Sequence, residues 1–392
     1  MVREKIEQAF EILNELDIDL WLVIDNESEI LSDPIMDYVV GAGVTWYSMF
    51  LYFRKKKKYA IVGNLDIERY ENLKLFDKIY AYKSSPKDFL FELLNKYEPN
   101  RIAINYSVNS PAADGLTYGR YLRLVDLLKG SGYENKLVSA EGIISKLRGR
   151  KSEEEISRIK EAIRITLEIY NKVTEYVKPG MSEKDVADYI TSERLKLNLE
   201  PAWEEEHCPS VFTGPQTVGA HSGPTSKELK RGHVFNIDFG VVYDKYCSDL
   251  QRTWYILRDG EKEPPEEVIR GFNTIVESIQ LAFDALKPGV TGQEVDKIAR
   301  DYIVSKGYDE YPHALGHQVG RSAHDGGALL APAWDRYGNL PFIPIEENQV
   351  FTIEPRLYIK EYGVATIEEM IVVGKNGAEF LSGPQKEIYL IK

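Results

Sequence analysis

The sequence of 392 residues predicts two domains: an N-terminal α/β domain over residues 1–148 and an α+β domain over residues 149–392. Three observations support this prediction. Helical and strand patterns alternate over residues 1 to about 145. A dense charge run with a capping-box signature, Ser152 followed by Glu155, lies at the boundary. Beyond it, two segments of the chain each occur twice, which indicates an internal repeat.

The first domain alternates helices and strands, a pattern typical of an α/β fold. The basic run from Arg54 to Lys58 lies between two apolar runs and predicts the solvated tip of a hairpin. The second domain should begin with a long helix near Glu153, because Ser152 and Glu155 form the capping box. In the first domain we expect helices over residues 4–15, 87–96 and 118–128, and strands over residues 20–24, 49–53, 59–62, 78–82 and 101–107.

The internal repeat distinguishes the second domain. The segment YVKPGMSEKDVADYI recurs 109 residues later as ALKPGVTGQEVDKIA, and HVFNIDFG recurs 116 residues later as QVFTIEPR. In each copy of the first segment a helix ends at Pro-Gly and another begins at Ser182 or Thr291. In the second segment an acidic residue, Asp238 or Glu354, recurs within an apolar strand. A recurring carboxylate in such a strand indicates a shared task, and the copies predict halves related by a pseudo-twofold axis.

Two strand pairs are predicted to present these carboxylates. If Asp238 faces Asp249 across an antiparallel pair, the turn falls between residues 243 and 244 in VVYDKY. If Glu354 faces Glu368, the second turn is centred in KEYGVA. Opposed like charges destabilise a sheet, and buried carboxylates without partners cost more. The pairs must therefore lie in water or bind cations.

The histidines favour cations. All six occur between residues 207 and 324, and three lie in one glycine-rich stretch, HALGHQVGRSAHDGG, where glycine permits close approach of the backbone to a site. A single histidine is usually a packed or surface residue, and four acids alone can form a structural acidic cluster. Four carboxylates with one imidazole are a better ligand set for two divalent ions, because four negative charges balance four positive ones.

The composition argues against several classes of protein. A net charge of −13 opposes binding to nucleic acid or to a membrane surface, since phosphate contacts require clustered Lys and Arg. No stretch approaches the roughly 20 apolar residues of a membrane span. Cys208 and Cys247 form no CxxC pair, which agrees with a reducing compartment. No signal core follows the first helix, so we expect a cytoplasmic protein.

The motifs NIDFG, SDLQRT, GHQVG, TIEP and TIEEM, with the Lys-Pro-Gly repeat, resemble those of the pita-bread metallopeptidases. This family includes Xaa-Pro dipeptidases (prolidases), aminopeptidase P and methionine aminopeptidases. The resemblance covers the whole chain, because an additional N-terminal domain of this size is typical of the prolidase and aminopeptidase P branch. It implies a creatinase/prolidase-type domain over residues 1–148, a pita-bread catalytic domain over residues 149–392, and hydrolysis of the bond before proline in short peptides.

The five metal ligands of the family can be transferred to this sequence one by one. The resemblance implies that Asp249 and Glu368 bridge two divalent ions, with Mn or Co favoured over Zn. Asp238 would bind one of the ions, and His317 and Glu354 would bind the other. None of the five residues is missing from the sequence.

The resemblance also implies catalytic roles. Glu354 would move a proton from the attacking water to the leaving nitrogen. His324 and His221 would flank the substrate and donate hydrogen bonds to the oxyanion and the leaving amide. The remaining histidines have weaker claims and are expected to be structural: His207, His233 and His313.

Three departures from the family concern substrate recognition rather than metal binding. The chain has HDGG, EPR and TIEE where the family usually has His-Glu-x-Pro, Glu-Pro-Gly and Arg-Ile-Glu-Asp. The arginine missing from the last motif is one that would meet a carboxylate or another ligand group. Arg356, Arg321 and Arg336 are candidates to replace it, and each is equally well explained as a surface charge.

Two rival interpretations stay open. The fold also carries non-peptidase reactions such as creatine hydrolysis, and some relatives are protein-binding or chaperone modules, but both groups lack the metal ligands that this chain retains. Among peptidases, an Xaa-Pro aminopeptidase or a methionine-type aminopeptidase is the alternative to a dipeptidase, and we favour dipeptides only slightly. We also expect a homodimer that binds a short peptide.

Overall fold

The structure, a computed structural model, describes residues 1–215 and 223–392. The chain divides into two units, residues 1–148 and 149–392. Their assignment as a creatinase/prolidase-type domain and a catalytic domain stays a prediction. Within the described residues, no helix combines the length and the apolarity required to span a bilayer. Cys208 and Cys247 are buried free thiols.

Residues 1–148 fold into alternating helices and strands, as the sequence predicts. The expected helices and strands are all present, and most of their ends lie within two residues of the predicted positions. The elements are α1 (Val2–Glu15), β1 (Leu20–Asp25), α2 (Met36–Val39), β2 (Ser48–Phe53), β3 (Lys57–Gly63), α3 (Ile67–Leu73), β4 (Lys78–Tyr82), α4 (Lys87–Tyr97), β5 (Ile102–Ile104), α5 (Tyr118–Leu128), β6 (Leu137–Ser139) and α6 (Glu141–Gly149).

The strands of this unit form one mixed sheet in the order β4-β3-β2-β1-β5-β6. Helices cover both of its faces, which explains why the strands read as continuous apolar runs rather than as alternating patterns. In β1, Trp21 and Val23 pack on one face with Phe10 of α1, whereas Leu20 and Leu22 pack on the other. The basic run forms the tip of the hairpin between β2 and β3, as predicted.

Residues 149–392 contain two pairs of long helices and several short sheets. The first helix begins at Glu153 after a complete capping box of Ser152 and Glu155, as predicted. The elements are α7 (Glu153–Tyr176), α8 (Glu183–Lys196), β7 (Glu200–Pro201), β8 (Ser210–Thr213), β9 (Val234–Phe239), β10 (Val241–Tyr243), β11 (Tyr246–Cys247), β12 (Leu250–Ile256), α9 (Glu266–Ala285), α10 (Gly292–Ser305), β13 (Val350–Ile353), β14 (Arg356–Ile359), β15 (Gly363–Thr366), β16 (Glu369–Val373), β17 (Ala378–Phe380) and β18 (Tyr389–Ile391).

The internal repeat appears in the hydrogen bonds as well as in the sequence. The Gly180 amide donates to the Leu229 carbonyl at 2.9 Å, and the Gly289 amide donates to the Ile345 carbonyl at 2.8 Å. The two glycines have φ of 91° and 93°, a backbone conformation that costs glycine little. A capping box then starts α8 or α10. We call each of these bonded pairs a glycine clasp; each ties a helix pair to the segment that leads into an acidic strand.

Candidate metal centre

The first acidic hairpin runs from β9 into β12. Its strands pair Asp238 with Gln251 and Phe239 with Leu250, so the predicted face-to-face pairing of Asp238 with Asp249 is wrong. In this register Asp249 is a diagonal neighbour of Asp238. Diagonal neighbours of this kind lie on the same face of a strand pair, so both carboxylates still point to one side.

The error comes from the turn, which is centred one residue farther along the chain than predicted. Tyr243 pairs with Tyr246, which leaves Asp244 and Lys245 as a two-residue turn. Both have positive φ, 43° and 72°, the backbone that strand twist favours in two-residue hairpins. Asp-Lys signals such a turn less clearly than Asn-Gly does. Displacing the turn by one residue displaces the strand partners by two, and this keeps both acids on one face.

The second acidic hairpin has the predicted register. The pairing of Ile353 with Glu369 in β13 and β16 and that of Arg356 with Thr366 in β14 and β15 follow one register, although the two pairs belong to separate sheets. Glu354 and Glu368 therefore lie opposite each other, as the sequence predicts. The turn is centred on Glu361, whose φ is 70°.

A segment beside β13 brings His317 to the acids. The Thr352 amide donates to the His317 carbonyl at 2.8 Å, and the Glu354 amide donates to the Leu315 carbonyl at 2.7 Å. Gly316 lies between them, and a Cβ atom there would be 2.0 Å from the Thr352 carbonyl oxygen. The glycine-rich stretch thus permits the close backbone approach that the sequence analysis expects.

The imidazole of His317 lies among three carboxylates. Its Nε2 atom is 3.2 Å from Oε1 of Glu354, 3.7 Å from Oδ2 of Asp249 and 3.9 Å from Oε1 of Glu368. Asp249, His317 and Glu368 offer donor atoms that all lie within 4.8 Å of one another. A single cation can contact all three groups after small side-chain adjustments.

A cavity of about 960 Å³ contains these groups. His324 lines it, whereas His221 lies outside the described residues. Of the histidines expected to be structural, His207 and His313 also line the cavity, and His233 packs against Gly214. The predicted metal ligands all line the cavity: Asp238, Asp249, His317, Glu354 and Glu368.

The acids differ in how readily they ionise. Burial raises the pKa of Asp238, Asp249 and Glu368 well above the ordinary carboxylate range, and repulsion among the acids acts in the same direction. Burial also acts to raise the pKa of Glu354, but the hydrogen bond and the charge of His317 outweigh it and lower that pKa. Three acids therefore resist ionisation unless cations are near, while the fourth is ionised at neutral pH.

Two buried carboxylate oxygens, Oδ1 of Asp238 and Oε1 of Glu368, have no hydrogen-bond partner among residues 1–215 and 223–392. Buried acceptors in proteins are nearly always satisfied, so these two atoms require an explanation. A divalent cation supplies one, because carboxylate oxygens with an imidazole nitrogen are a suitable ligand set for ions such as Mn²⁺, Co²⁺ and Zn²⁺. The residues present thus fit a metal centre.

Two side chains that the sequence analysis missed support the acids. Gln251 donates from Nε2 to Oε2 of Glu368 at 2.9 Å and accepts from Oγ1 of Thr366 at 3.1 Å. Arg252, fully buried, donates from Nη1 to the Glu368 carbonyl at 2.9 Å and forms an ion pair with Glu369 at 3.1 Å. Both belong to SDLQRT, and strand alternation from the acid in that motif would have placed Gln251 on the acidic face.

The HDGG departure has a structural role beside the site. His324 packs edge-on against His317, with ring centres 4.2 Å apart and planes at 88°. The next residue, Asp325, forms a buried ion pair with Lys151 at 3.3 Å. Gly320 allows this pair, since a Cβ there would lie 1.9 Å from Oδ2 of Asp325. A buried ion pair therefore holds the backbone next to His324.

The three candidate arginines have different settings. Arg321 donates to the hydroxyl of Tyr246 at 3.1 Å, and the exposed Arg336 donates to the carbonyl of Pro312 at 2.7 Å. Arg356 is half-buried and lines the cavity, and burial lowers the pKa of its guanidinium. Of the three arginines, Arg356 is the one whose positive charge lies in the cavity with the acids.

The chain is similar to known peptidases over its whole length. Residues 157–375 match metallopeptidase family M24. The chain is 33% identical over 240 residues to an uncharacterized peptidase of Staphylococcus haemolyticus, a match that covers 61% of this chain and 64% of that protein. It is 26% identical over 400 residues to an Xaa-Pro dipeptidase of Pyrococcus horikoshii, covering 99% of each.

Solved structures agree with these relatives. The crystal structure of an X-Pro aminopeptidase from Thermotoga maritima matches with a TM-score of 0.71 and 25% identity, covering 98% of this chain and 99% of that one. The pita-bread fold predicted from the sequence is confirmed by this match together with the family match.

Proposed function

Because the chain belongs to metallopeptidase family M24, we propose that it is a dinuclear-metal Xaa-Pro dipeptidase that hydrolyses the bond before proline in short peptides. The observation that carries the proposal is the set of Asp249, His317 and Glu368, whose donor atoms lie within 4.8 Å of one another. Metal-dependent peptidase chemistry follows from the family. The name of the P. horikoshii relative, Xaa-Pro dipeptidase, supports the substrate class.

Five side chains would hold the two ions. Asp249 and Glu368 would bridge them, Asp238 would bind one, and His317 and Glu354 would bind the other. The unpartnered oxygens of Asp238 and Glu368 support this assignment. We favour Mn or Co over Zn. When bound, such ions lower the pKa of a water molecule to about 7 and polarise the scissile carbonyl.

Glu354 is the proposed proton carrier. Its lowered pKa keeps the carboxylate ionised at neutral pH, so that it can accept a proton from the attacking water. It then returns this proton to the proline nitrogen as the C–N bond breaks, so the acyl product gains the hydroxyl and proline gains the hydrogen. His324 would donate a hydrogen bond to the oxyanion, and His221, outside the described residues, would donate one to the leaving amide.

Preference for proline would come from shape. The nitrogen of an Xaa-Pro bond carries no hydrogen, so a site that requires an N–H donor rejects it. A site that fits the proline ring instead can specialise in this bond. The cavity offers apolar surface for the ring beside its acids, from Ala328, Leu329, Tyr337 and Leu340.

A substrate panel tests the proposal. We expect the purified protein, supplied with Mn, Co or Zn, to hydrolyse Gly-Pro and Ala-Pro faster than Met-Ala peptides, as measured by release of free proline or alanine. Longer Xaa-Pro peptides complete the panel. Faster turnover of Met-Ala peptides than of every Xaa-Pro substrate would contradict the assignment.

An Xaa-Pro aminopeptidase is the second candidate, and the T. maritima structure of that name supports it. Longer Xaa-Pro peptides distinguish it from a dipeptidase. A peptide- or protein-binding module on the same fold needs no metal. The metal content of the purified protein, measured by elemental analysis, separates this module from both peptidases, because two ions per chain are expected of an enzyme.

The cytoplasmic location and the homodimer stay predictions. Sedimentation equilibrium of the purified chain tests the second of them. A mass twice that of the 44.8 kDa chain is the expected result, and a monomer at micromolar concentration would reject it.

A further inference from the structure

One wall of the cavity is a piece of main chain outside the helices and strands. We call it the loop wall; it consists of residues 311–314. Three of its residues line the cavity: Pro312, His313 and Ala314. Carbonyls that have no partner in a helix or sheet require one elsewhere. Arg300 supplies two, because its guanidinium donates to the carbonyl of Tyr311 at 2.6 Å and to that of His313 at 2.7 Å.

Arg300 belongs to α10, and its side chain is only 6% exposed. Its Nε and Nη2 atoms donate to Asp296, one turn earlier, at 2.7 Å each, and Nη1 also donates to Glu310 at 3.2 Å. Every N–H group of the guanidinium therefore has an acceptor. Asp296 in turn accepts from the Leu315 amide at 3.1 Å. The pair thus holds both the loop wall and the start of the segment that carries His317.

The same guanidinium packs against a second part of the cavity. Its Cζ atom is 5.1 Å from the ring centre of Trp334, within the range of a cation–π contact. Trp334 stacks on Tyr337, with ring centres 5.9 Å apart and planes at 14°, and Tyr337 lines the cavity. We call these two rings the aromatic wall. Arg336 joins it to the loop wall, since its guanidinium packs 4.6 Å from the Trp334 ring centre and donates to the Pro312 carbonyl at 2.7 Å.

The buried pair occurs in only one copy of the internal repeat. At the offset of 109 residues, Asp296 and Arg300 correspond to Ala187 and Thr191 in α8. The first copy shows that a helix at this place packs without the two charges. Buried ion pairs can often be replaced by apolar side chains without loss of stability. The pair in the second copy therefore has a task beyond the packing of its helix, and the loop wall is what it contacts.

We propose that Arg300, paired with Asp296, holds the loop wall and the aromatic wall at a fixed separation and thereby selects the ring size of the residue after the scissile bond, an inference that rests on the proposed function. Tyr337 belongs to the apolar surface assigned above to the proline ring. Walls that are held in place exclude a larger ring, whereas walls that can move apart accept it. Arg300 does not line the cavity, so it is a positioning residue that acts through the two walls.

Substrates that differ only in ring size isolate this role. We would measure kcat/KM for Ala-azetidine-2-carboxylate, Ala-Pro and Ala-pipecolate, which have rings of four, five and six atoms, with metal-loaded protein. All three keep the free carboxylate and an amide nitrogen without hydrogen. The wild type should prefer Ala-Pro to Ala-pipecolate by about 10-fold or more, the scale for one methylene group in a shaped pocket. Arg300→Lys, which keeps the charge but loses the planar fork of donors, should reduce this ratio below about 3-fold.

The ratio separates positioning from general damage, because a smaller fraction of folded enzyme lowers all three values alike. Lys297→Gln, which removes an exposed partner of Asp301 on the same helix, is the matched control and should leave the ratio unaltered. If Arg300→Lys does not fold, the double variant Asp296→Ala with Arg300→Thr replaces it. That variant has the residues of the first copy and leaves no buried charge unpaired.

Three outcomes would overturn the inference. The first is an unaltered ratio in a folded, metal-loaded variant, and the second is a wild-type protein that does not distinguish the rings. The third is failure of both variants to fold, which would assign the pair to stability rather than to selectivity.

The proposed function can fail separately. If the wild-type protein cleaves Met-Ala but no Xaa-Pro substrate with Mn, Co or Zn, the substrate class is wrong. The role of Arg300 is then judged by the size of the residue after the bond, with Met-Ala, Met-Val and Met-Phe. A weaker size preference in Arg300→Lys would still support the positioning of the walls, and an equal preference would reject it.

Discussion

The two acidic hairpins are similar in sequence, but their acids differ in strand pairing and in the side chains around them. The first places its acids diagonally, and Oδ1 of Asp238 has no partner among the described residues. The second places Glu354 and Glu368 directly opposite each other, with His317 3.2 Å from the one and Gln251 2.9 Å from the other. The repeat thus preserves the type of side chain, while the surroundings differ between the two copies. Glu354 of the second hairpin has a lowered pKa, whereas the pKa values of Asp238, Asp249 and Glu368 are raised, so these three acids share the need for a nearby cation.

Removing one acid from each hairpin tests whether both copies are essential. Asp249→Asn in the first and Glu368→Gln in the second should each lower kcat/KM by about 10⁴-fold or more, the scale of losing an essential catalytic group. Both changes keep the shape of the side chain but remove a charge from the metal centre. Peptidase assays measure kcat/KM, and metal analysis measures the metal content of each variant. Full activity in either variant, or in metal-stripped protein, would show that the hairpins do not act through a shared centre.

The second prediction concerns the link between the hairpins. Arg252 of β12 and Glu369 of β16 form an ion pair in which both side chains are at most 1% exposed. Arg252→Met leaves Glu369 buried without its partner and should lower the free energy of unfolding by about 3–5 kcal/mol.

Urea denaturation measures that loss. Lys297→Met, which removes an exposed i,i+4 pair with Asp301, is the control and should cost about 0.3–0.5 kcal/mol. The double variant Arg252→Met with Glu369→Met should recover part of the loss. A single variant as stable as the control would mean that the ion pair does not hold the hairpins together.

The third prediction concerns the support that only the second hairpin has. Gln251→Leu removes the amide that donates to Glu368 and should weaken metal affinity about 10- to 100-fold, as loss of an outer partner of a metal ligand does. Calorimetric titration of the metal-free variant with Mn²⁺ gives the dissociation constant for the metal. Gln280→Leu, at an exposed site on α9, is the matched control. Equal affinities for the two variants would indicate that the orientation of Glu368 does not depend on Gln251.

The fourth prediction is a pH dependence that should be steeper in metal-free protein than in metal-loaded protein. Because the folded pKa values of Asp238, Asp249 and Glu368 are raised, the folded state holds protons that the unfolded state releases above about pH 4. Stability is then lost as pH rises, by about 1.4 kcal/mol per pH unit for each group that titrates. Thermal unfolding of metal-free and Mn-loaded protein from pH 5 to 8 should diverge as pH increases.

A residue of the first unit provides the reference for that experiment. Burial raises the pKa of Asp33 in the first unit to about 6. Its contribution to stability has the same sign and is lost as pH rises through about 6, but it does not depend on metal. Asp33→Asn should therefore alter both curves alike. A constant gap between metal-free and loaded protein from pH 5 to 8 would contradict the assignment of raised pKa values to the metal ligands.

Local patterns in the sequence were sufficient for much of the fold. The apolar runs and caps of the first unit predict its elements, and Gly363 marks the turn that sets the second hairpin. The register of the first hairpin could not be predicted in the same way. Its turn residues, Asp244 and Lys245, have positive φ although neither is a glycine. The strand register was predicted correctly where a glycine marked the turn, and the prediction was wrong where the turn contained no glycine.

The site was less predictable than the fold, because its supports join distant positions. The ion pair of Lys151 with Asp325 spans 174 residues, and no periodic pattern connects the two. Gln251 lies on the acidic face, but its amide carries no charge, so the charge pattern of the sequence does not indicate its role. The repeat and the hairpin pattern predict the four acids, whereas the choice of His317 among the histidines came from the resemblance to a family. The roles of all five residues stay predictions until activity and metal content are measured.

The glycine clasps have a consequence for how such a protein can be altered. From the clasp glycine to its carbonyl partner the chain runs 49 residues in the first copy, Gly180 to Leu229, and 56 in the second, Gly289 to Ile345. The longer stretch contains His317 and His324. Its ends are fixed by the same hydrogen bond as in the shorter copy, so loop length varied between fixed anchor points while the acidic strands kept their places. The clasps therefore mark positions between which the two copies can differ in length without displacing the acidic strands.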